Sequence, residues 1–489
     1  MSIFKKILIA LLVLVVIAGA VLWWLSRPVP AEYTLDETSG TDPVLTAPDA
    51  QLIPTVGIAS PIGWGDEGAP QAAEGLVVNR FAEGIEHPRV LYTLPNGDVL
   101  VTLTNRPEGE SDDDGGIGSW IRDTVAGWLF SKAGAAVPTP NQLVLLRDAD
   151  ADGVAEQTIV VREDDLDSPS GIAWQDGNLY IANHDEVLRF DYELGADAVT
   201  GEPQQIAQLP PAGNHWMRNI ILSEDGESLF VAVGSASNIA ENGMEEEAGR
   251  AAIHQIPLGD GAARLFGSGL RNPNGMDWNP WTGELWTTVN ERDMLGSDLV
   301  PDYMTDVPIG AHYGWPWFYF GDREDRRVES RPDINPDYVR RPEYALGAHS
   351  APLGMVFTSP NSRLGFGQGA FVARHGSWNR SPPAGYDVIF VSFDARGNPT
   401  GKPRQVLKSF LANDEETYGR PTWLAWDRTG ALLVSDDTGN IIWRVSSPDA
   451  DEAGTVERNS GAPLPPRRQL RGSPSRAFEE GAVSMEDIL

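Results

Sequence analysis

The sequence contains no cysteine and only seven histidines among its 489 residues. Without thiols the chain forms no disulfide, thiolate zinc site, iron–sulfur cluster or cysteine nucleophile, and it cannot attach a c-type haem covalently. A metal ion in this protein must therefore be held by oxygen or imidazole ligands. The histidines are also the candidates for a base near neutral pH, and they are His87, His184, His215, His254, His312, His349 and His375.

Positive charge is also scarce. Lys and Arg number 37 against 70 Asp and Glu, which gives a formal net charge of −33. A surface with this excess of carboxylates repels polyanions, so nucleic acid and anionic lipid headgroups are poor partners. The 51 Gly, 37 Pro and 16 Trp favour many short strands and turns over long helices.

An uncharged apolar run covers residues 7–25, directly after two lysines. At about 1.5 Å rise per residue, a helix of this length would span the roughly 30 Å hydrocarbon core of a bilayer. The preceding lysines place the N-terminus in the cytoplasm, so we expect residues 1–27 to be an uncleaved transmembrane anchor and the rest to lie in a bacterial periplasm. The composition of residues 28–75 predicts a flexible tether, and that of residues 447–489 predicts a disordered tail.

A pattern of two alternating apolar stretches around a Gly- or Asp-containing turn recurs six times. Such alternation predicts β-hairpins, and hairpins that recur along a chain are typical of propeller blades. We therefore predict an all-β, six-bladed β-propeller over residues 76–446, with insertions at 106–141 and 293–350; a β-sandwich is the alternative. The first insertion also shows helical spacing of apolar residues between Ile117 and Leu129. The six copies are residues 87–104, 168–190, 216–234, 272–290, 351–376 and 420–445.

The stretch RDADADGVAE places Asp148, Asp150 and Asp152 at alternate positions before Gly153. Carboxylates around such a bend converge on one point and suit a hard cation such as Ca²⁺. The stretch lacks the glutamate that completes an EF-hand loop, so a solvated acidic turn is the alternative interpretation.

The segment 266–317 is the densest in polar side chains. Arg271 and Asn272 stand before a predicted strand, and charged residues follow the next one. A forked guanidinium beside an amide and several carboxylates suits an anionic, metal-chelating ligand, and an ion-pair network between blades is the equal alternative. The charged residues that follow are Glu291, Arg292, Asp293, Asp298 and Asp302.

These segments resemble the glucose/sorbosone dehydrogenase family, whose members are six-bladed propellers that use pyrroloquinoline quinone (PQQ) and Ca²⁺. The resemblance covers residues 81–445 and includes LRNPNG at 270–275 and HYGWP at 312–316. The stretches NERDMLGSDLVPDY at 290–303 and HGSWNR at 375–380 are most similar to the L-sorbosone dehydrogenase-like branch.

The resemblance implies roles for individual residues. His215 matches the base that takes the proton of the substrate's C1 hydroxyl, and Asp298 or Asp302 matches the carboxylate near that base. The main-chain carbonyls of Arg292 and Asp293 match ligands of the cofactor's Ca²⁺. The residues that match cofactor contacts are Arg271, Asn272 and Arg420, and the nearest match to a further structural Ca²⁺ site is Asp322.

The family commonly places a lysine on the cofactor from its fifth blade, and this chain departs from that pattern. An arginine binds a carboxylate bidentately and keeps its charge, so the expected substitutes are Arg374, His375 and Arg380. The lysines after the N-terminal run, none of them in that motif, are Lys132, Lys402 and Lys408.

The activity implied by the resemblance is oxidation of an aldose or a sorbosone-like aldehyde at C1, giving a lactone or an acid. Because no cysteine can attach a haem, the electrons must leave to an external acceptor such as ubiquinone or a cytochrome. A Ca²⁺-dependent lactonase and a non-catalytic binding propeller are the alternatives. Arg271 and Arg420 count against the lactonase, and the missing lysine favours the binding propeller.

Overall fold

The computed structural model describes residues 3–25, 28–51, 54–107, 132, 138–332 and 334–447. The predicted helix between Ile117 and Leu129 lies outside the described residues. So does the predicted tail, except for Ser447.

Helix α1, Ile3–Leu25, contains the apolar run of the N-terminus. In the part of the chain that the structure describes, no helix is both long and apolar enough to cross a membrane. The structure therefore gives no support to the predicted transmembrane anchor.

Four strands precede the first blade: β1 (Ser39–Gly40), β2 (Ser60–Pro61), β3 (Gln71–Ala72) and β4 (Val77–Glu83). Blade 1 contains β5 (Pro88–Thr93), β6 (Val99–Leu103), β7 (Gln142–Arg147) and β8 (Gln157–Arg162). Blade 2 contains β9 (Gly171–Gln175), β10 (Asn178–Ala182), β11 (Glu186–Asp191) and β12 (Gln204–Gln208). Blade 3 contains β13 (Ile220–Leu222), β14 (Ser228–Val233), β15 (Ala252–Pro257) and β16 (Arg264–Ser268).

Blade 4 begins with β17 (Pro273–Trp278), β18 (Leu285–Val289) and β19 (Pro301–Asp306). Before its fourth strand come β20 (Ala311–His312), β21 (Phe318–Tyr319), β22 (Arg323–Glu324) and the 3-10 helix η1 (Pro336–Tyr338). The fourth strand is β23 (Tyr344–Ala348). Blade 5 contains β24 (Pro352–Phe357), β25 (Gly369–Arg374), β26 (Asp387–Phe393) and β27 (Pro399–Lys408). After β28 (Glu416–Thr417), blade 6 contains β29 (Pro421–Trp426), β30 (Leu432–Asp436) and β31 (Ile441–Ser446).

The six sheets with four or five strands form a six-bladed β-propeller, as predicted, and the first two strands of each blade are the six recurring hairpins of the sequence. The first strand of every blade contributes residues to one central channel. Because neighbouring strands within a blade run antiparallel, the loops before each first strand and after each second strand open at one end of this channel. We call it the upper end, and the opposite end the lower end.

The ring is closed by the N-terminal part of the chain. Strand β4 pairs antiparallel with β31, from Ile441↔Glu83 to Ser446↔Val77, and so forms the outermost strand of blade 6. Closing a blade with strands from both ends of the domain ties the first and last blades together.

Residues 28–75 are not the flexible tether that their composition predicts. Strand β1 pairs with β23, β2 with β28 and β3 with β27. Thr55, Ala59 and Trp64 are buried. The segment has no periodicity because it adds isolated backbone pairs to the edges of blades instead of forming a sheet of its own.

The predicted insertion at 293–350 is also corrected, because part of it belongs to blade 4. It contains β19 and β23, which pair antiparallel with each other as the third and fourth strands of that blade. The extra elements are confined to the connection between these two strands.

Replacing Trp64 by alanine tests whether residues 28–75 belong to the folded domain. The Trp64 ring stacks on Tyr418 at 5.1 Å and contacts the rings of Phe410 and Trp443, both at 5.3 Å. Its Nε1 donates to Asp436 Oδ2 at 2.7 Å. We expect Trp64→Ala to lower the free energy of unfolding by about 3–5 kcal/mol, measured by denaturant titration.

The matched control is Ile62→Ala, since Ile62 lies in the same segment and is 50% exposed. It should change the free energy of unfolding by less than about 0.5 kcal/mol. Equal stability of the two variants would mean that the segment does not contribute to the core.

Candidate functional site

Several predicted site residues meet at the upper end of the channel. His215 precedes β13, Arg271 precedes β17 and Arg420 precedes β29. Asp293 follows β18 and His375 follows β25, which brings both to the same end. Residues far apart in the sequence thus converge on loops carried by a rigid scaffold.

His215 is a neutral histidine, and one of its two ring nitrogens makes no hydrogen bond to a described residue. Its Nδ1 donates to the Ser235 carbonyl oxygen at 2.8 Å, with the Ser235 hydroxyl 3.0 Å away. Burial, helped by the positive charge of Arg271, lowers the pKa of His215 to about 3. No described residue hydrogen-bonds Nε2, so this nitrogen keeps a lone pair that can accept a proton at neutral pH.

Asn272 lies directly beside His215. A Cβ at Gly234 would come within 2.4 Å of Asn272 Oδ1 and 2.6 Å of His215 Cβ. Glycine at position 234 is therefore what allows the amide and the imidazole to approach each other. No side-chain hydrogen bond engages the Asn272 amide within the described residues, so it can meet a ligand bound at His215.

Arg271 is held entirely by protein acceptors. Its Nε donates to the Asn238 carbonyl oxygen at 3.1 Å, and Nη2 donates to Asn238 Oδ1 at 2.9 Å and to Asp293 Oδ2 at 3.1 Å. Its Nη1 donates to the carbonyl oxygens of Asn290 and Glu291, at 3.3 and 2.7 Å. Arg271 thus ties a blade 3 loop to a blade 4 loop, which differs from the cofactor contact expected from the sequence.

Asp293 is the carboxylate that acts on His215. Against the larger effect of burial, its negative charge raises the pKa of His215. Asp293 Oδ1 also lies 3.4 Å from Nδ1 of His349, whose Nε2 meets two loop carbonyl oxygens at 2.9 Å. Burial would lower the pKa of His349, but Asp293 outweighs it and raises that pKa. An ion pair between His349 and Asp293 therefore lies behind the base.

The two carboxylates that the resemblance places near the base, Asp298 and Asp302, make other contacts. Asp298 accepts a backbone N–H of the N-terminal segment at 2.6 Å and Arg380 Nη1 at 2.9 Å. Asp302 lies in β19 and accepts the N–H groups of Glu291 and Ala351, at 2.7 and 2.8 Å. Burial raises the pKa of Asp302 to about 7. Of the three carboxylates, Asp293 is the one whose charge acts on the pKa of His215.

Arg374 and Arg380, two expected substitutes for the missing lysine, are paired inside the protein. Arg374 donates to both carboxylate oxygens of Asp387, at 2.7 and 2.6 Å. Arg380 donates to Asp298 and to the Ser297 carbonyl oxygen. Both guanidinium groups are buried and paired with a carboxylate, so neither is a free cation for a ligand, although Arg380 Nε has no hydrogen-bond partner within the described residues. This corrects the expectation from the sequence.

His375, the third expected substitute, shares Asp437 with an arginine. Its Nε2 lies 3.0 Å from Asp437 Oδ2. Burial lowers the pKa of His375, and Asp437 opposes that shift. Burial would raise the pKa of Asp437, but His375 and Arg89 outweigh it and hold that pKa well below its usual range.

Arg89 is a charged residue at the upper end that the sequence analysis did not select. It lies in β5, its Nη1 donates to Asp437 Oδ2, and its guanidinium stacks over the Trp216 ring at 5.4 Å. The signal that could have identified it is an arginine inside the alternating apolar pattern of the first copy, HPRVLY.

Arg420 keeps an unused donor. Its Nη2 donates to the Tyr386 hydroxyl at 3.2 Å and the guanidinium stacks over that ring at 5.1 Å. Within the described residues, its buried Nε has no hydrogen-bond partner. Buried polar groups are normally hydrogen-bonded, so a concentration of unpartnered ones points to a polar ligand. The other unpartnered buried atoms at the upper end include Asn219 Nδ2, Asn290 Oδ1 and Thr438 Oγ1.

One of the two main-chain calcium ligands expected at the upper end, the Asp293 carbonyl, accepts hydrogen bonds from protein groups. The Asp293 carbonyl accepts Arg327 Nη1 at 2.8 Å and Asn238 Nδ2 at 3.3 Å. Asp322 is exposed, and the nearby buried carboxylate, Asp325, pairs with Arg327 at 2.7 Å. Arg292 is also buried and paired with Asp325. Guanidinium groups thus lie beside the Asp293 carbonyl and the Asp325 carboxylate.

The predicted loop of alternating carboxylates does form a cluster. Among the described residues, one acidic group has metal-site spacing, and one ligand atom from each member lies within 4.8 Å of the others: Asp148, Asp150, Asp152 and Glu156. Asp148 Oδ1 is buried and has no hydrogen-bond partner within that part of the chain. The loop joins β7 to β8, so it lies at the lower end and is remote from His215.

Known proteins share this architecture. The family model described as TrAA12-like matches residues 141–308 and 329–447. The pyrroloquinoline quinone-dependent pyranose dehydrogenase of Coprinopsis cinerea is 25% identical over 396 residues, which cover 66% of this chain and 54% of that protein. The pyrroloquinoline quinone-dependent sugar dehydrogenase of Hypocrea jecorina (strain QM6a) is 24% identical over 435 residues, which cover 78% of this chain and 90% of that protein.

A solved structure shows the same fold. The holo form of the PQQ domain of pyranose dehydrogenase from Coprinopsis cinerea matches with a TM-score of 0.59 at 20% identity, covering 80% of this chain and 100% of that domain. The chain spans about half the length of the whole Coprinopsis enzyme. Because the family model matches more than half of its residues, the chain belongs to the TrAA12-like family.

Proposed function

We propose that the protein is a PQQ-dependent sugar dehydrogenase that oxidises an aldose or a sorbosone-like aldehyde at C1 to a lactone or an acid. The observation that carries the proposal is His215, a neutral histidine with an open Nε2 at the channel end where Arg420 keeps an unpartnered donor. The names of the two fungal relatives, both PQQ-dependent dehydrogenases, support it.

The residues at the upper end fit an anionic quinone. Arg420 offers a buried Nε donor to a carboxylate, and charge-assisted hydrogen bonds of this kind are among the strong ones. Asn272 offers an amide beside His215. Asn219 Nδ2 and Thr438 Oγ1 add two further polar atoms without partners in the described chain. PQQ, when bound, supplies the two-electron acceptor that no side chain of this protein can replace.

His215 is the group that takes the proton of the C1 hydroxyl, at Nε2. The Ser235 carbonyl fixes the ring by accepting Nδ1–H, which leaves the lone pair on Nε2. When Nε2 gains the proton, the nearby negative charge of Asp293 stabilises the imidazolium. Arg271 keeps Asp293 in place through the 3.1 Å hydrogen bond to Oδ2.

Replacing His215 by alanine tests the assignment of the base. In the presence of PQQ and Ca²⁺, we expect the wild-type protein to reduce an artificial dye with one or more members of a panel of aldoses and sorbosone. His215→Ala should still bind PQQ, followed by absorbance, while turnover falls by about 10²–10⁴-fold, the usual contribution of a general base.

The matched control is His254→Gln, because His254 lies in the third strand of blade 3 and its Nε2 meets the Gly249 carbonyl oxygen at 2.8 Å. This variant should keep its turnover. Normal turnover by His215→Ala would contradict the role of the base. No PQQ binding by the wild type would contradict the whole proposal, lactone hydrolysis without quinone would favour the lactonase, and binding without any turnover would favour the binding propeller.

We further propose that Ca²⁺ binds the lower-end loop of Asp148, Asp150, Asp152 and Glu156, whose ligand atoms lie within 4.8 Å of one another. Oxygen ligands at this spacing suit a hard cation. Since the loop is remote from His215, its ion would stabilise blade 1 and leave the base untouched.

Calcium removal should therefore change stability rather than turnover. In the wild type, Ca²⁺ at about 100 times its Kd should raise the free energy of unfolding by about 2.7 kcal/mol, whereas a variant with Asp150→Asn and Asp152→Asn should show no such gain. Thermal unfolding with Ca²⁺ or a chelator measures this. The control variant Asp260→Asn, at an exposed loop position, should gain stability from Ca²⁺ as the wild type does. If the Tm of the wild type does not change with Ca²⁺, the proposed site is contradicted.

From the apolar run at residues 7–25, we propose that residues 1–27 hold the protein at a bacterial inner membrane. The propeller would then lie in the periplasm, and ubiquinone or a cytochrome would accept the electrons. The apolar side chains Leu12, Val15 and Val16 of α1 are 62–66% exposed, so the propeller does not cover them. We expect the full chain, but not residues 28–489, to remain in carbonate-washed membranes of the expressing bacterium. Recovery of both in the supernatant would contradict the attachment.

A further inference from the structure

Arg89 lies across the upper end of the channel. It belongs to blade 1, yet its Nη1 donates to Asp437 of blade 6 on one side. On the other side it reaches the blade 3 loop that carries His215, because the guanidinium stacks over Trp216 and faces Met217. Arg89 therefore lies at the same end of the channel as His215 and contacts the two residues that follow it.

One edge of the Arg89 guanidinium lacks a good acceptor. Nε and Nη2 both point at Met217 Sδ, at 3.4 and 3.3 Å. A thioether is a weak acceptor, while two parallel N–H groups match the two oxygens of a carboxylate. The Arg89 side chain keeps 14% of its surface exposed.

The charges around Arg89 also favour an anion. Asp437 is the carboxylate paired with it, and the same carboxylate is shared with His375. The positive charge of Arg420 is close enough to act on Arg89, and it lowers the pKa of Arg89 in the same direction as burial does. Asp437 pairs with Arg89 and His375, and no described carboxylate forms an ion pair with Arg420, so an anionic ligand would compensate positive charge here.

We propose that Arg89 binds a carboxylate of PQQ through Nε and Nη2, displacing Met217 from that edge, and so supplies the cation that the absent lysine would have given. The inference rests on the proposed function. It assigns to blade 1 a contact expected from blade 5, where Arg374 is neutralised by Asp387.

Quinone binding by the purified full chain tests the inference. Tryptophan fluorescence and absorbance titrations with PQQ give Kd without requiring turnover. We expect Arg89→Gln to raise Kd by about 10- to 100-fold, the effect of losing a charged, bidentate hydrogen bond. Arg89→Lys keeps the positive charge but loses the two parallel N–H donors, so its Kd should lie between that of the wild type and that of Arg89→Gln. Arg189→Gln, which removes a half-buried arginine paired with Asp191 on blade 2, should bind as the wild type does.

The trimethyl ester of PQQ separates carboxylate binding from a change in fold. Because the ester presents no carboxylate, Arg89→Gln and the wild type should bind it with equal Kd. An equal Kd for PQQ in the wild type and Arg89→Gln, or an equal loss for PQQ and its ester, would overturn the role of Arg89 while leaving the function intact. A wild type that binds no PQQ would overturn both. Should Arg89→Gln fail to fold, Arg89→Lys provides the same comparison.

Discussion

The antiparallel pairing of β4 with β31 is the constraint on which the site depends. It closes the ring of blades by adding an N-terminal strand to the last blade, and it fixes which loops face each other across the channel. Arg89 of blade 1 meets Asp437 of blade 6 only because the ring is closed between them. The same closure sets Trp216 and Met217, next to His215, opposite those two residues.

Most of the buried arginines form ion pairs within the protein. Arg271, Arg292, Arg374 and Arg380 each pair with a buried carboxylate and with backbone carbonyls. In a chain with so many acidic residues, these pairs compensate charges that would otherwise be buried alone, and breaking such a pair is more harmful than lacking it. The arginine groups at the upper end that can still meet a ligand include the unpartnered Nε of Arg420 and the poorly satisfied edge of Arg89.

Position in the chain was a poor guide to which carboxylate lies near the base. Asp293, Asp298 and Asp302 follow one another within a short segment, yet only Asp293 meets both Arg271 and His349. Asp298 turns toward Arg380 and the N-terminal segment, and Asp302 is already inside β19. The three aspartates make different contacts because the loop ends, and the third strand of blade 4 begins, between Asp298 and Asp302. The alternation of apolar residues in the sequence does not define that boundary.

The sequence by itself determined the number of blades, their hairpins and the acidic loop at Asp148, because strand alternation and turn residues are local properties. It also singled out His215, whose loop is rich in Gly, Pro and Asn. Only the tertiary structure decided that residues 28–75 pair with blade edges, that Arg374 and Arg380 pair with carboxylates, and that Arg89 connects blade 6 to the loop of His215. Those outcomes depend on contacts between blades, and such contacts leave no periodic signal in the chain.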